Sequence, residues 1–250
     1  MKIVRFLHEG QEHWGYLQDK QVRILAQEPF AGLSYTGEVI SLDSGKLLSP
    51  CLPGKIVCAG KNYYDHAMEM GEGVPEEVIL FMKTPNTIAN PEDVIFAPDF
   101  VDRVDFEGEL AIVIGKKATK IKASEAEDYI FGYTVLNDVT ARKIQKGDGQ
   151  WSRGKCMDGF CPMGPWIETE LDASNLALET RLNGEVKQKT NTSMLMTGIP
   201  AMLEHISACI TLEVGDVVAT GTPAGIGPMA SGDVVEVEIE GIGVLRNRMA

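Results

Sequence analysis

The chain has 250 residues, and its 23 Lys and Arg against 36 Asp and Glu give a formal net charge of -13 at pH 7. This length suffices for one large domain, or one domain with a small appendage, around a well-buried core. The negative charge repels phosphate backbones and anionic bilayers, so nucleic acid and membrane partners are not expected. Five cysteines without a CxxC pair, and no long apolar N-terminal stretch, predict free thiols and a cytoplasmic protein.

Short runs of alternating apolar and polar residues fill the first part of the chain. Between Ile3 and Leu25 these runs are separated by polar turns, which predicts a small meander of β-strands. Residues 42–53 carry Ser, Gly and two prolines, a composition typical of a linker. We therefore expect a small N-terminal β domain and linker over residues 1–52, followed by the main domain over residues 53–250.

Strands also dominate the prediction for the main domain. The runs ELAIVIG and YTVLN have strand length, VVEVEIEGIGVL alternates, and Asn183-Gly184 indicates a hairpin. Helices are predicted over Pro200 to Cys209 and Ser124 to Tyr129, and Asn62 to Met70 is compatible with a third. The segment GEGVPEE, residues 71–77, is expected to be mobile. The predicted fold class is mainly β with a few short helices.

Three acidic residues stand at the ends of predicted buried strands. Glu107 and Glu109 lie two apart, so in a strand both project to one face with Cα atoms roughly 6.5 Å apart. An isolated ExE is more often a solvated strand end, but Asp138 closes the second apolar run and adds a third carboxylate. Such a hard oxygen site suits Mg²⁺ or Mn²⁺, with Ca²⁺ as a substitute, whereas four histidines without an HxxxH pattern disfavour zinc.

Six sequence blocks carry a resemblance to a known family: GKNYYDHAMEMG, FMKTPNTI, VDFEGELAIVIGK, GYTVLNDVTARKIQ, WSRGKCMDGFCPMGP and ATGTPAGIG. Their order resembles that of the fumarylacetoacetate hydrolase family, above all its small domain-containing proteins and bacterial homologues. These include acylpyruvate hydrolases, oxaloacetate decarboxylases or tautomerases, and hydroxyheptadienedioate isomerases. The resemblance covers about residues 55–227 and implies a mixed β-sandwich roll that forms a homodimer.

The resemblance also assigns roles to side chains of the acidic segment and its surroundings. It implies that Glu107, Glu109 and Asp138 bind the metal, as their spacing already suggests. It further implies that Lys155 lies beside the metal and contacts the substrate or the developing enolate, where a positive charge has an electrostatic role.

A second group of residues is expected to handle protons and substrate. His66 and Glu69 are three apart on the predicted helix, in the segment that resembles the family's closing lid, so the pair would activate a water or relay a proton. Lys61 stands where many relatives have Arg, and lysine cannot form arginine's bidentate clamp on a carboxylate, which leaves the substrate's identity open. The residues expected to line the pocket and hold the substrate carboxylate are Lys61, Lys83, Arg142, Gln145 and Thr222.

The function implied is a divalent-metal-dependent hydrolase that cleaves a C–C bond in a small anionic 2-oxo acid, acylpyruvate or fumarylacetoacetate-like, through a metal-bound enolate. Oxaloacetate decarboxylase or tautomerase and 2-hydroxyhepta-2,4-diene-1,7-dioate isomerase share that step, and the choice depends on whether water or only a proton is delivered. An alternative of another class is a non-catalytic, metal-stabilised domain that binds a small molecule. His66, Glu69 and Lys155 argue against it, because a structural ion needs no proton relay.

Overall fold

β-Strands form most of the regular structure, which confirms the predicted fold class. The computed structural model describes residues 1–71 and 73–250. The strands of this described chain are β1 (Lys2–His8), β2 (Gln11–Gln18), β3 (Gln21–Leu25), β4 (Tyr35–Ser41), β5 (Lys46–Leu48), β6 (Ile56–Gly60), β7 (Ile79–Lys83), β8 (Ile88–Ala89), β9 (Val94–Ile95), β10 (Val104–Phe106), β11 (Gly108–Ile114), β12 (Ile130–Asn137), β13 (Thr140–Ala141), β14 (Cys161–Glu168), β15 (Ala177–Leu182), β16 (Glu185–Asn191), β17 (Val217–Ala219), β18 (Gly227–Met229), β19 (Val234–Ile239) and β20 (Gly243–Met249). Its α-helices are α1 (Tyr64–Glu69), α2 (Arg142–Asp148), α3 (Ser152–Lys155) and α4 (Ile199–Cys209).

The strands assemble into a large sheet and two smaller ones. The main path of the large sheet runs β4-β3-β2-β1-β14-β12-β11-β17-β6-β7, with β5 on β1 and β8 on β14. A five-stranded sheet has the order β16-β15-β19-β20-β9, and a three-stranded sheet the order β13-β10-β18. Leu110 and Val135 of the large sheet share one apolar cluster with Leu178 and Val237 of the five-stranded sheet, so these two sheets pack face to face.

Strand β11 lies at the centre of the core and is buried on both faces. Leu110 and Ile112 belong to the cluster that includes α4 and the five-stranded sheet, whereas Ala111 and Val113 belong to a second cluster with β6 and β14. A strand covered on both sides needs apolar residues at every position, which explains the unbroken run ELAIVIG. Glu107 and Glu109 therefore stand at the beginning of a strand that is buried along its whole length.

The N-terminal strands form the predicted meander and join the large sheet. Strands β1 to β4 pair antiparallel in sequence order, and β1 also pairs with β14 through Lys2 opposite Glu168 and Ile3 opposite Ile167. The segment predicted to be a linker contains regular structure, because Lys46–Leu48 form strand β5, which pairs with β1. Leu48 is buried in this pairing, unlike a residue of a solvent-exposed linker. The division at residue 52 stays a prediction.

The predicted helices and turn can be compared with the structure one by one. Helix α4 has its proline in the first turn, as predicted, and the Asn183-Gly184 turn has the positive φ angles, 52° and 80°, of a tight hairpin. The segment Ala123–Tyr129 is a 3₁₀ helix. The mobility predicted for residues 71–77 stays a prediction, and Glu72 of this segment lies outside the described residues. No helix in the described ranges is both long and apolar enough to cross a bilayer.

Truncation of Ile112 should test the central position of β11. We expect Ile112→Ala to lower the free energy of unfolding by about 2–5 kcal/mol and Ile112→Val by about 0.5–1.5 kcal/mol, because both leave a cavity between packed sheets. Urea denaturation followed by circular dichroism measures both values. Val186→Ala on the exposed face of β16 is the control, with an expected change within about 0.5 kcal/mol. An Ile112→Ala effect no larger than this control would contradict the packing described.

Candidate active site

The three predicted metal ligands meet at one end of the β11–β12 pair. Glu107 lies between β10 and β11, Glu109 is the second residue of β11, and Asp138 directly follows β12. The antiparallel register sets Gly108 opposite Asn137, and the Asp138 N–H donates to the Glu107 carbonyl oxygen at 2.8 Å. One carboxylate oxygen from each acid lies within 4.8 Å of the others, and all three residues are buried. The pairing of β11 with β12 therefore brings Asp138 next to Glu107 and Glu109, so that the three acids form one cluster.

Cationic side chains surround this cluster and offset part of its charge. The Lys155 ammonium donates to Glu107 Oε2 at 2.7 Å and to Asp138 Oδ2 at 2.5 Å. Lys83 donates to Asp138 Oδ1 at 2.6 Å, and Arg142 forms an ion pair with Glu107. Buried ions need such partners, because a lone buried charge costs several kcal/mol. Glu107 and Asp138 are thus both satisfied by the protein itself.

Glu109 differs from the other two acids in its electrostatic surroundings. Burial and then the charges of Asp138 and Glu107 raise the pKa of Glu109 well above its usual value. Burial also opposes ionisation of Glu107, but Lys155 and Arg142 outweigh it and hold the pKa of Glu107 well below its usual value. Within the described chain Glu109 has no ion pair and accepts one backbone hydrogen bond, from Gly221 N–H at 2.8 Å.

The donor set fits a hard divalent cation. It consists of three buried carboxylates with oxygen atoms close enough to share one ion, and no sulfur or imidazole ligand belongs to the cluster among the described residues. The uncompensated acid, Glu109, supplies the charge that such an ion would neutralise. These three residues can hold Mg²⁺, Mn²⁺ or Ca²⁺.

Asp105 is a buried member of the site that the sequence analysis does not assign. It is fully buried, accepts from Arg142 Nε at 2.8 Å, and is held from the other side by Arg103 Nε at 2.7 Å. Arg142 in turn donates to Gln145 Oε1 at 2.7 Å. The alternation in VDFEGE, residues 104–109, could have indicated this residue, because it sets Asp105 on the same face of the strand as Glu107. Asp105 thus orients the arginine that neutralises Glu107.

His66 and Glu69 occupy α1, as the predicted i, i+3 pair. His66 is buried, and its Nδ1 lies 3.3 Å from Glu69 Oε2. Glu69 also accepts from Gly225 N–H at 3.1 Å, so the loop that follows β17 fixes the carboxylate. With Nδ1 turned to Glu69, Nε2 is the ring nitrogen that remains for proton exchange.

A cavity of about 360 Å³ connects the acidic cluster with α1. Its aromatic walls are Phe81 and Trp151, whose rings meet edge to face at 5.1 Å, and the Lys155 ammonium lies 4.9 Å from the centre of the Phe81 ring. Lys146 and Met70 line the cavity although the sequence did not suggest them. The predicted site residues that line it are Lys61, His66, Glu107, Glu109, Asp138, Arg142, Gln145, Lys155 and Thr222.

Two predicted substrate contacts are engaged by the protein instead. Lys83 is fully buried and does not line the cavity, and its ammonium donates to Asp138 and to the Val139 carbonyl. Thr222 lines the cavity, but its hydroxyl donates to the Gly108 carbonyl at 3.0 Å and accepts from Gln188. For these two side chains the contacts described are structural, and a direct part in substrate binding stays a prediction.

The chain is similar to known proteins along most of its length. Residues 55–250 match the sequence family described as "Fumarylacetoacetate (FAA) hydrolase C-terminal", and residues 1–50 match "Rv2993c-like, N-terminal". The oxaloacetate tautomerase YisK of Bacillus subtilis is 42% identical over 224 residues, which are 84% of this chain and 76% of that protein.

Solved structures are similar over the full chain. The 5-carboxymethyl-2-hydroxymuconate delta-isomerase of Mycobacterium smegmatis has a TM-score of 0.95 and 40% identity, covering 100% of this chain and 99% of that one. The fumarylacetoacetate hydrolase of Exiguobacterium antarcticum has a TM-score of 0.90 and 37% identity, with the same coverage. The chain therefore belongs to the fumarylacetoacetate hydrolase family of enzymes, as its six sequence blocks indicate.

Proposed function

We propose that this protein is a divalent-metal-dependent enzyme that moves a proton in a small dicarboxylic 2-oxo acid, as a tautomerase or isomerase. The observation that carries the proposal is the convergence of Glu107, Glu109 and Asp138 at a cavity that His66 and Lys155 also line. The similarity to a tautomerase and an isomerase supports this reaction class over the hydrolysis expected from the sequence.

The acidic cluster and its lysine account for charge stabilisation in this proposal. Glu107, Glu109 and Asp138 would hold a divalent cation, which would supply positive charge that favours loss of a C–H proton next to the keto group of a 2-oxo acid. Lys155 stays positively charged, because Asp138 and Glu107 outweigh the effect of burial and raise its pKa. Its ammonium therefore offers a second stabilising charge to the negative charge that develops on the substrate.

The His66–Glu69 pair accounts for proton transfer. Glu69, held by Gly225, orients the ring so that Nε2 remains to take a proton from the substrate carbon and return it to a different atom. Tautomerisation needs only this transfer. Since the carboxylate is itself anchored, the imidazole is preorganised rather than free to rotate.

The charges of the site favour a doubly negative substrate. When ionised, the three acids of the cluster and Asp105 carry as many negative charges as Lys83, Lys155, Arg142 and Arg103 carry positive ones, although Glu109 itself has no ion-pair partner among the described residues. A bound divalent cation would leave this group of residues with an excess of two positive charges. A dicarboxylate such as oxaloacetate would neutralise both, whereas a monocarboxylate would not.

Lys146 is the side chain that we assign to the second carboxylate of the substrate. It lies on α2 one turn beyond Arg142, about 6 Å along the helix axis, and lines the cavity. Arg142 is committed to Asp105, Glu107 and Gln145, but Lys146 has no ion-pair partner among the residues described. Its ammonium is therefore available to an anion that enters the cavity.

C–C bond hydrolysis is the second candidate. The similarity to the Exiguobacterium hydrolase supports it, and the same His66–Glu69 pair could activate a water instead of the substrate carbon. The two candidates differ in whether a water molecule is consumed, which product analysis decides.

The first test compares substrates and two site variants. With Mg²⁺ or Mn²⁺, we expect the protein to interconvert the keto and enol forms of oxaloacetate, followed by enol absorbance. Glu109→Gln should weaken metal binding by more than about 100-fold, since even indirect partners of metal ligands contribute about 10–100-fold. His66→Ala should keep metal affinity and lower kcat by about 10²–10⁴-fold.

Product analysis in the same experiment separates the alternatives. Release of acetate and pyruvate from acetylpyruvate would favour hydrolysis, and pyruvate from oxaloacetate would favour decarboxylation. If metal raises the melting temperature but no 2-oxo acid reacts, the protein is a metal-stabilised binding domain and the proposal is wrong.

Metal affinity should depend on pH through Glu109. The raised pKa of Glu109 means that its protonated form, which cannot bind metal, persists to higher pH than for an ordinary glutamate. Metal affinity should therefore fall as pH is lowered, by up to about tenfold per pH unit while Glu109 is protonated. Calorimetry in buffers of different ionisation enthalpy measures the proton released. An affinity that does not fall as the pH is lowered would contradict this.

Lys146→Gln tests the preference for a dicarboxylate. We expect KM for oxaloacetate to rise about tenfold, which corresponds to about 1.4 kcal/mol, with kcat nearly unchanged. KM for acetylpyruvate, which has a single carboxylate, should not change. Lys143→Gln on the same helix is the control, because Lys143 pairs with Asp102 at 2.9 Å and does not line the cavity. Equal changes for both substrates would disprove the assignment.

A further inference from the structure

Gln188 of β16 reaches from the five-stranded sheet to the acidic cluster. Its side chain is fully buried, and its Oε1 accepts from Gly108 N–H at 3.0 Å. Its Nε2 donates to Thr222 Oγ1 and to the Pro223 carbonyl oxygen, both at 2.8 Å. Both amide protons and the amide oxygen are therefore used, all toward segments that form the candidate active site.

Gly108 is the residue that this amide holds, and it separates two of the three acids. Its N–H is bound by Gln188, and its carbonyl accepts from Thr222, which Gln188 also binds. The three residues thus close a ring of hydrogen bonds around the peptide groups between Glu107 and Glu109. A side chain at position 108 would collide with Thr180 of β15, so the two sheets meet closely at this point.

The backbone of β16 also supports the loop that anchors α1. Gly225 has a φ of 98°, and a Cβ there would collide with the carbonyl oxygen of Lys187, the residue before Gln188. The Gly225 N–H is the group that donates to Glu69. The same short stretch of β16 therefore contacts both the metal-ligand segment and the loop that orients the His66–Glu69 pair.

We infer that Gln188 is a positioning residue that holds the Glu107–Glu109 segment in the geometry that binds the metal. The inference rests on the proposed metal dependence. Glu107 and Glu109 repel each other, and a chain segment free to relax would let their carboxylates separate. Gln188 and Thr222 fix the peptide groups between them, so the repulsion is retained until a cation or a proton binds. Groups that orient metal ligands in this way commonly contribute about 10–100-fold to affinity.

Gln188→Met tests the inference, because methionine has nearly the same length and shape but lacks the amide that binds Gly108 and Thr222. Calorimetric titration of the full chain with MnCl₂ in the absence of substrate should show affinity lowered by about 10–100-fold. Excess Mn²⁺ should restore most of the lost activity. Asn247→Leu is the control, since Asn247 is a buried amide that donates to Asn90 and Asp93 carbonyls away from the cavity. This control should be less stable but bind Mn²⁺ like the wild type.

A matched pair at Thr222 keeps the test decisive if Gln188→Met does not fold. Thr222→Ser retains the hydroxyl and should bind Mn²⁺ like the wild type, whereas Thr222→Val should weaken binding as Gln188→Met does. Combining Thr222→Val with Gln188→Met should add little, because both break one network.

The outcomes separate this inference from the proposed function. If the wild type binds no Mn²⁺, the metal dependence itself is wrong and the inference falls with it. If the wild type binds and Gln188→Met and Thr222→Val bind equally well, only the role of Gln188 is wrong. An equal loss in Asn247→Leu would also overturn it, since the effect would then reflect general destabilisation.

Discussion

The structure depends on keeping three like-charged side chains together in a buried place. The Asp138 N–H bond to the Glu107 carbonyl and the β11–β12 register bring the acids together, and Lys155, Lys83 and Arg142 reduce the cost of burying them. This compensation is unequal, because Glu109 is left without a cationic partner in the described chain. A divalent ion would relieve that imbalance, and the proposed metal dependence rests on it.

Much of the site could be predicted because its chemistry is local in sequence. Glu107 and Glu109 share one strand direction, and His66 and Glu69 share one helical turn, so a period of two or of three to four residues indicated both pairs. Asp105 continues the same alternation, but its role depends on Arg103 and Arg142, and the ExE pattern itself includes only the two glutamates. The family resemblance supplied Lys155, which no local pattern distinguishes from a surface lysine.

The remaining contacts could not be predicted because they join distant parts of the chain. Nothing in the sequence around Gln188 indicates that its amide meets Gly108, 80 residues earlier. Similarly, Lys83 was expected to face the substrate, but the β6–β7 pairing buries it behind Asp138. Helices α2 and α3 were not predicted, since they are short, contain glycine and carry polar side chains into the cavity instead of an apolar stripe.

The pairing of β1 with β14 has a consequence for how the chain folds during synthesis. Lys2 and Ile3 lie opposite Glu168 and Ile167, so β1 is synthesised more than 160 residues before one of the strands with which it pairs. Until β14 is made, the part of that edge that β5 does not cover is unpaired and open to association with other chains. The large sheet also gains its β17–β6 pairing from segments far apart in the sequence. Folding should therefore be slow and completed only after most of the polypeptide has emerged.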